Sequence, residues 1–220
     1  MIDLPASAAA PRLRFTVRGA DPLRSAAVPT LRLRLAVETD EEREIRGLGL
    51  NVRVSIAAER RRYRPRESER LGELFGPVDL WSRSLGSLLW TQTALNVAAF
   101  TRATEIDLSL PCTYDFEVVA AKYLAALEDG EIPIEVLFTG NVFYAGADGR
   151  LQIAMIPWDS EASLRLPVSV WRAAVDAAFP ESGWVRVRRD LLARLQAYRS
   201  RRGLTGWDET LAALLAESEA

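Results

Sequence analysis

A two-residue rhythm through the first half of the chain restricts the fold more than any other feature. Leu13, Phe15 and Val17 alternate with Arg12, Arg14, Thr16 and Arg18, and Leu31, Leu33, Leu35 and Val37 alternate with Arg32 and Arg34. Leu48, Leu50, Val52, Val54 and Ile56 do the same against Asn51, Arg53 and Ser55. Successive side chains of an extended chain point to opposite faces, so each run gives a strand with one apolar and one polar face. Parallel strands covered on both sides would read as unbroken apolar runs, so the pattern predicts an antiparallel sheet. Gly19-Ala20-Asp21-Pro22 and Thr39-Asp40-Glu41-Glu42 supply its turns.

The texture changes further on. Glu67 to Phe75, stopped by Gly76-Pro77, predicts a short helix, and Asp79-Leu80-Trp81 a second helical turn. Alternation resumes at Leu89, Thr91, Thr93, Leu95 and Val97; with a turn at Thr101-Arg102, the run Thr104–Leu110 predicts a hairpin. Val118, Val119, Tyr123, Leu124 and Leu127 recur at helical spacing before Gly130, although Tyr114 to Val118 equally suits a strand. Ile132–Tyr144 and Leu151–Ile156 flank Gly146-Ala147-Asp148-Gly149, a hairpin signal. The last sixty residues read as helical: Pro167 opening Val168–Phe179, Asp190 capping Leu191–Tyr198, and Trp207–Leu215. The expected fold is α+β, an antiparallel β-sandwich or curled sheet with a C-terminal helical segment. Its expected parts are a flexible tail at 1–10, a β-rich domain at 11–160 and helices at 161–220 packed on that same domain.

Composition narrows the chemistry. There is no histidine, and Cys112 is the only cysteine in 220 residues. An internal disulfide, a zinc or iron–sulfur site and a histidine-based triad are thereby excluded, and no cofactor is expected. Lys122 is the only lysine among 28 basic residues, a bias read first as that of a GC-rich genome. Net charge is −2, which gives the whole molecule no electrostatic reason to seek nucleic acid. No apolar stretch reaches the roughly 18–20 residues of a membrane span and the start has no signal-peptide pattern, so a cytoplasmic location is expected.

Three kinds of residue remain as site candidates. The run Glu59-Arg60-Arg61-Arg62-Tyr63-Arg64-Pro65-Arg66 reads either as an acidic-partner or phosphate patch, centred on Arg61, Arg62 and Arg64, or as a solvated strand end neutralised by Glu59, Glu67 and Glu69. Arg186 to Arg202 reads the same two ways. Of six tryptophans, most belong in a core, while Trp158, Trp184 and Trp207 are candidates for partner binding. Asp115 with Glu117, and Asp159 with Glu161, lie two apart near strand ends, about 7 Å along the backbone, a spacing open to carboxylate catalysis but commoner in turns and caps. Lys122 reads as solvent-facing, Cys112 as an inert thiol.

The segments Pro111-Cys112-Thr113-Tyr114-Asp115-Phe116-Glu117-Val118, Phe138-Thr139-Gly140-Asn141-Val142-Phe143-Tyr144, Asp148-Gly149-Arg150-Leu151-Gln152, Ile156-Pro157-Trp158-Asp159 and Leu166-Pro167-Val168 carry a resemblance. Over roughly residues 45–215 the chain resembles an uncharacterised family of high-GC bacterial proteins often encoded beside nickel–iron uptake hydrogenases. That resemblance implies a hydrogenase subunit or maturation factor as partner, and no catalytic residue comes with it. Without histidine and with one cysteine the chain cannot carry the nickel or an electron-transfer cluster, which leaves a non-catalytic accessory, assembly or structural role. Two alternatives stand beside it: a chaperone-like holdase for apolar segments, and a carboxylate-dependent hydrolase. Self-association is compatible with all three.

Overall fold

The computed structural model describes residues 10–24, 26, 28–112, 119–180 and 187–219. In chain order these form β1 (Arg14–Pro22), β2 (Thr30–Glu38), β3 (Glu44–Ile56), α1 (Pro65–Phe75), α2 (Trp81–Ser84), β4 (Leu88–Val97), β5 (Phe100–Thr101), β6 (Ala103–Pro111), α3 (Val119–Ala126), β7 (Glu131–Ala145), β8 (Leu151–Met155), β9 (Glu161–Pro167), α4 (Val168–Ala178), α5 (Arg189–Arg202) and α6 (Trp207–Ser218). They divide into two compact units, residues 1–183 and residues 184–220. The expected tail falls almost wholly outside the described residues.

The first unit is the expected α+β fold, with every strand pairing antiparallel. One sheet has the order β1-β2-β6; the other has β4-β3-β7-β8, with β5 added to β3 and β9 to β7. Alternation works as read: Leu31, Leu33, Leu35 and Val37 of β2 and Leu48 to Ile56 of β3 put their apolar side chains into one core. Phe15 of β1 stacks on Phe138 of β7 with ring centroids 4.3 Å apart, joining the two sheets through that core. The arginines on the other face of β2 meet carboxylates across the strands: Arg32 faces Asp21 and Asp107, and Arg34 faces Asp21.

Four local expectations are corrected. Gly19-Ala20-Asp21-Pro22 is not a turn. β1 absorbs Gly19 with a register shift and pairs on to Pro22, opposite Leu31. The runs read as a β4–β6 hairpin belong to different sheets: β4 pairs with β3 and β6 with β2. The link between them pairs briefly with β3 as β5, and the carbonyl of Arg102, at φ +66°, accepts the Thr39 amide N–H just beyond β2. Residues 161–167 are strand, not helix, and β9 extends the β-rich unit past 160 before Pro167 caps α4. Asp190 lies in the first turn of α5, whose cap is Arg188.

β7 organises the second sheet because two strands pair with it on one side in succession. Its first half, Glu131–Leu137, pairs with β9, and Asn141–Ala145 pairs with β8. Gly140 sits between, at φ +136°, and a Cβ there would lie 2.0 Å from the Gly49 carbonyl oxygen. Only glycine allows β7 and β3 that approach.

Candidate functional site

The basic run is built into the fold more than it is offered to solvent. Arg61 donates to the carbonyls of Asp129 (2.5 Å) and Glu131 (2.7 Å), and to Glu67 (2.7 Å). Both side chains of that pair are buried, with 8 % and 1 % exposed. Glu67 also accepts the Arg64 amide at the start of α1 and the Glu128 amide after α3. Burial pushes the Glu67 carboxyl up, but the two amides and the Arg61 guanidinium outweigh it and hold the group below its ordinary value. Arg61 is therefore held as a structural clamp within the first unit. Pro65 at the first turn starts α1 just beyond it.

The neighbouring arginines behave differently. Arg60 pairs with Glu135 at 2.6 Å and Arg64 with Asp129 at 3.6 Å, both on the surface. Arg62 is exposed and has no ion-pair partner among the described residues. With Arg165 these residues line an open groove of about 370 Å³. Behind it, Tyr63 packs edge-on against Trp81 and Tyr123, and its hydroxyl, 2.9 Å from that of Tyr123, donates to the Ala58 carbonyl. Burial, and then the Tyr123 hydroxyl, raise the Tyr63 pKa far above its ordinary value, so it carries no proton chemistry at neutral pH.

The tryptophans divide as sequence composition allows. Trp81 and Trp171 are buried and Trp90 is half-buried against the core. Trp158 is 83 % exposed at the tip of the Pro157–Ser160 turn. Trp207 is exposed at the start of α6, under the Arg199 guanidinium 4.5 Å from the ring centroid. Trp184 and the Asp115–Glu117 pair lie outside the described residues.

Asp159 and Glu161 do share a cleft of about 540 Å³, with Arg12, Arg14, Glu38 and Asp40. Both are exposed to solvent. Lys122 pairs with Glu73 on the surface. Cys112 is buried, and burial pushes its thiol up to about 12, which leaves it inert. Among the described residues no cluster of carboxylates and cysteine could hold a metal, and no helix is long and apolar enough to cross a membrane.

Two apolar surfaces, neither marked by a motif, stand out instead. On β8, Leu151, Ile153 and Met155 share one face and are 57 %, 60 % and 81 % exposed. In the second unit, α5 and α6 bury no apolar side chain. Leu191, Leu195 and Tyr198 follow helical spacing on α5, as do Trp207, Leu211, Leu214 and Leu215 on α6. A groove of about 470 Å³ runs between them, floored by Leu191, Leu195, Tyr198 and Leu214 and edged by Arg194 and Arg201. Exposed alternation on a strand and a leucine stripe on a helix look the same in sequence whether or not something covers them. That is why both escaped the sequence reading.

Residues 10–220 match a family of unknown function, DUF6084, and the chain belongs to that family. No curated protein matches it in sequence. Among solved structures it is similar to the CARDB domain of a Pyrococcus furiosus protein in complex with di-metal ions, at 8 % identity and a TM-score of 0.29, over 71 % of this chain and 91 % of that one. It is similar also to β-glucosidase from Kluyveromyces marxianus (8 % identity, TM-score 0.28, 71 % of this chain and 15 % of that one). For β-glucosidase 3B from Thermotoga neapolitana with α-D-glucose the values are 12 %, 0.26, 70 % and 17 %. Similarity at these TM-scores carries no argument about activity.

Proposed function

We propose, for this member of the DUF6084 family, a non-catalytic accessory or assembly role in which the chain docks on another protein through α5 and α6. The observation that carries this is the unburied state of the second unit. Leu191, Leu211 and Leu215 are 40 %, 49 % and 63 % exposed, on two helices that bury no apolar side chain. Two short helices cannot bury these apolar side chains against each other alone, so such a pair is completed by a further surface. The α5–α6 groove, apolar along its floor and arginine-edged, fits an apolar anchor flanked by carboxylates on a partner. Trp207, with Arg199 over its ring, opens the helix that carries Leu211, Leu214 and Leu215. The sequence resemblance makes a nickel–iron hydrogenase subunit or maturation factor the first partner to test.

The test is co-purification of the tagged full-length chain with co-expressed hydrogenase subunits and maturation proteins. Wild type retains one of them; Arg194→Glu/Arg201→Glu, which alters exposed side chains only, loses it while keeping the wild-type melting curve. Failure to retain any, or equal retention by the variant, overturns the proposal. A holdase would instead suppress aggregation of an unrelated unfolding protein, which this reading predicts the chain does not do.

A further inference from the structure

Independently of that partner, we infer that β8 is a self-association edge, on which a second copy of this chain lays its own β8 antiparallel with Ile153 on the two-fold axis. Among the described residues β8 pairs with β7 alone and is the terminal strand of its sheet's order. Edge strands offer unpaired amides and carbonyls, and monomeric proteins blunt them with charge, proline or a bulge. β8, Leu151-Gln152-Ile153-Ala154-Met155, has no charged residue, no proline and no register shift. The opposite edge, β4, carries Thr91, Gln92, Thr93 and Asn96 and a register shift between Val54 and Ser55 of its partner β3.

The sequence of β8 is its own complement. The register that pairs all five residues with a second copy sets Ile153 against Ile153 and Leu151 against Met155, twice over. All six side chains then lie on one face, because a two-fold axis through a residue preserves the alternation. That face continues inward over Phe143 of β7, which is half-buried and lies opposite Ile153, with its ring edge over Gly49. Charge agrees with the same register. Arg150, whose side chain is 85 % exposed and lies 3.5 Å from Asp148 in its own chain, comes opposite Ile156 of the copy, two positions from Trp158 and three from Asp159, both exposed. An arginine is thus delivered to an exposed ring and a carboxylate at each end of the strand pair. An isologous contact of this kind closes at two copies and consumes the β8 edge of both.

Sedimentation of the full-length protein decides the matter. A contact this small gives a dimer, twice 24.4 kDa, with a dissociation constant on the order of 10 µM. Ile153→Lys changes a side chain that is 60 % exposed, sets two like charges on the axis and weakens the dimer by at least about tenfold, with the melting curve unchanged. As a second measurement, Ile153→Cys under mild oxidation gives a disulfide-linked dimer, whereas Leu89→Cys on β4 does not; buried Cys112 contributes no link in either. A monomer at about 200 µM, a dimer insensitive to Ile153→Lys, or equal linkage from Leu89→Cys overturns the inference. Arg194→Glu/Arg201→Glu leaves the dimer intact and Ile153→Lys leaves partner retention intact, so failure here is distinct from failure of the partner reading.

Discussion

Arg61 and Glu67 are six residues apart, yet they join three places: the start of α1, the end of α3 and the first residue of β7. A buried charge that loses its partner keeps its desolvation cost and loses its compensation, so Glu67→Ala is expected to destabilise the first unit by about 3–5 kcal/mol, read from denaturant midpoints. The pH dependence follows from the lowered carboxyl pKa. Between the folded value and the unfolded one, near 4.3, the unfolded chain binds the extra proton, so stability falls as pH falls. The Glu67 contribution is complete above the unfolded value and disappears as pH drops through the lowered folded value. Glu67→Gln should flatten that acid limb relative to wild type. An unchanged limb would mean that the clamp is not what holds the α1 start.

At the scale of elements, β7 is the strand whose geometry decides the rest, and Gly140 is its critical residue. A methyl group there meets the Gly49 carbonyl oxygen at 2.0 Å on a backbone already at φ +136°. Gly140→Ala is expected to cost about 3 kcal/mol or more, whereas Gly149→Ala, with a positive φ but open space around it, costs about 1 kcal/mol. Equal losses for the two in urea titrations would refute the close-approach argument. The sequence told which residues extend and which face they show, because alternation is local. α1, α3, α4 and the β7–β8 hairpin were readable for the same reason: caps, glycine stops and an Asp-Gly turn act within a few residues. It did not tell which strands pair. Thr104–Leu110 alternates equally well beside β4 or β2, and a bonded turn from Arg102 to Thr39, sixty-three positions back, settled the choice. β9 was missed although Ala162, Leu164 and Leu166 alternate, because Pro167 drew the reading toward a helix start. Of the sites, exposed Trp158 and Trp207 were legible as residues, but the surfaces they border were not.

For the molecule as a whole, an arginine content this high invites a nucleic-acid reading, and the arrangement of charge argues against it. Binding to a phosphate backbone needs arginines free to replace counterions along one face. On the outer face of the first sheet Arg14, Arg18, Arg32 and Arg34 are each set against Glu38, Asp40, Asp21 or Asp107. Arg61 is consumed by the clamp, and Arg60 and Arg64 face Glu135 and Asp129. Releasing any of the exposed ones to a phosphate would trade one exposed pair for another, each worth roughly 0–1 kcal/mol, with no gain to sum. The groove beside Arg62 leaves too few uncompensated charges for the multiple contacts that even non-specific affinity requires. At about 150 mM salt the full-length protein should therefore bind duplex or single-stranded DNA more weakly than about 100 µM in fluorescence anisotropy. Micromolar binding with a steep salt slope would show that these pairs open in solution, and would return the arginine groove to the list of functional surfaces.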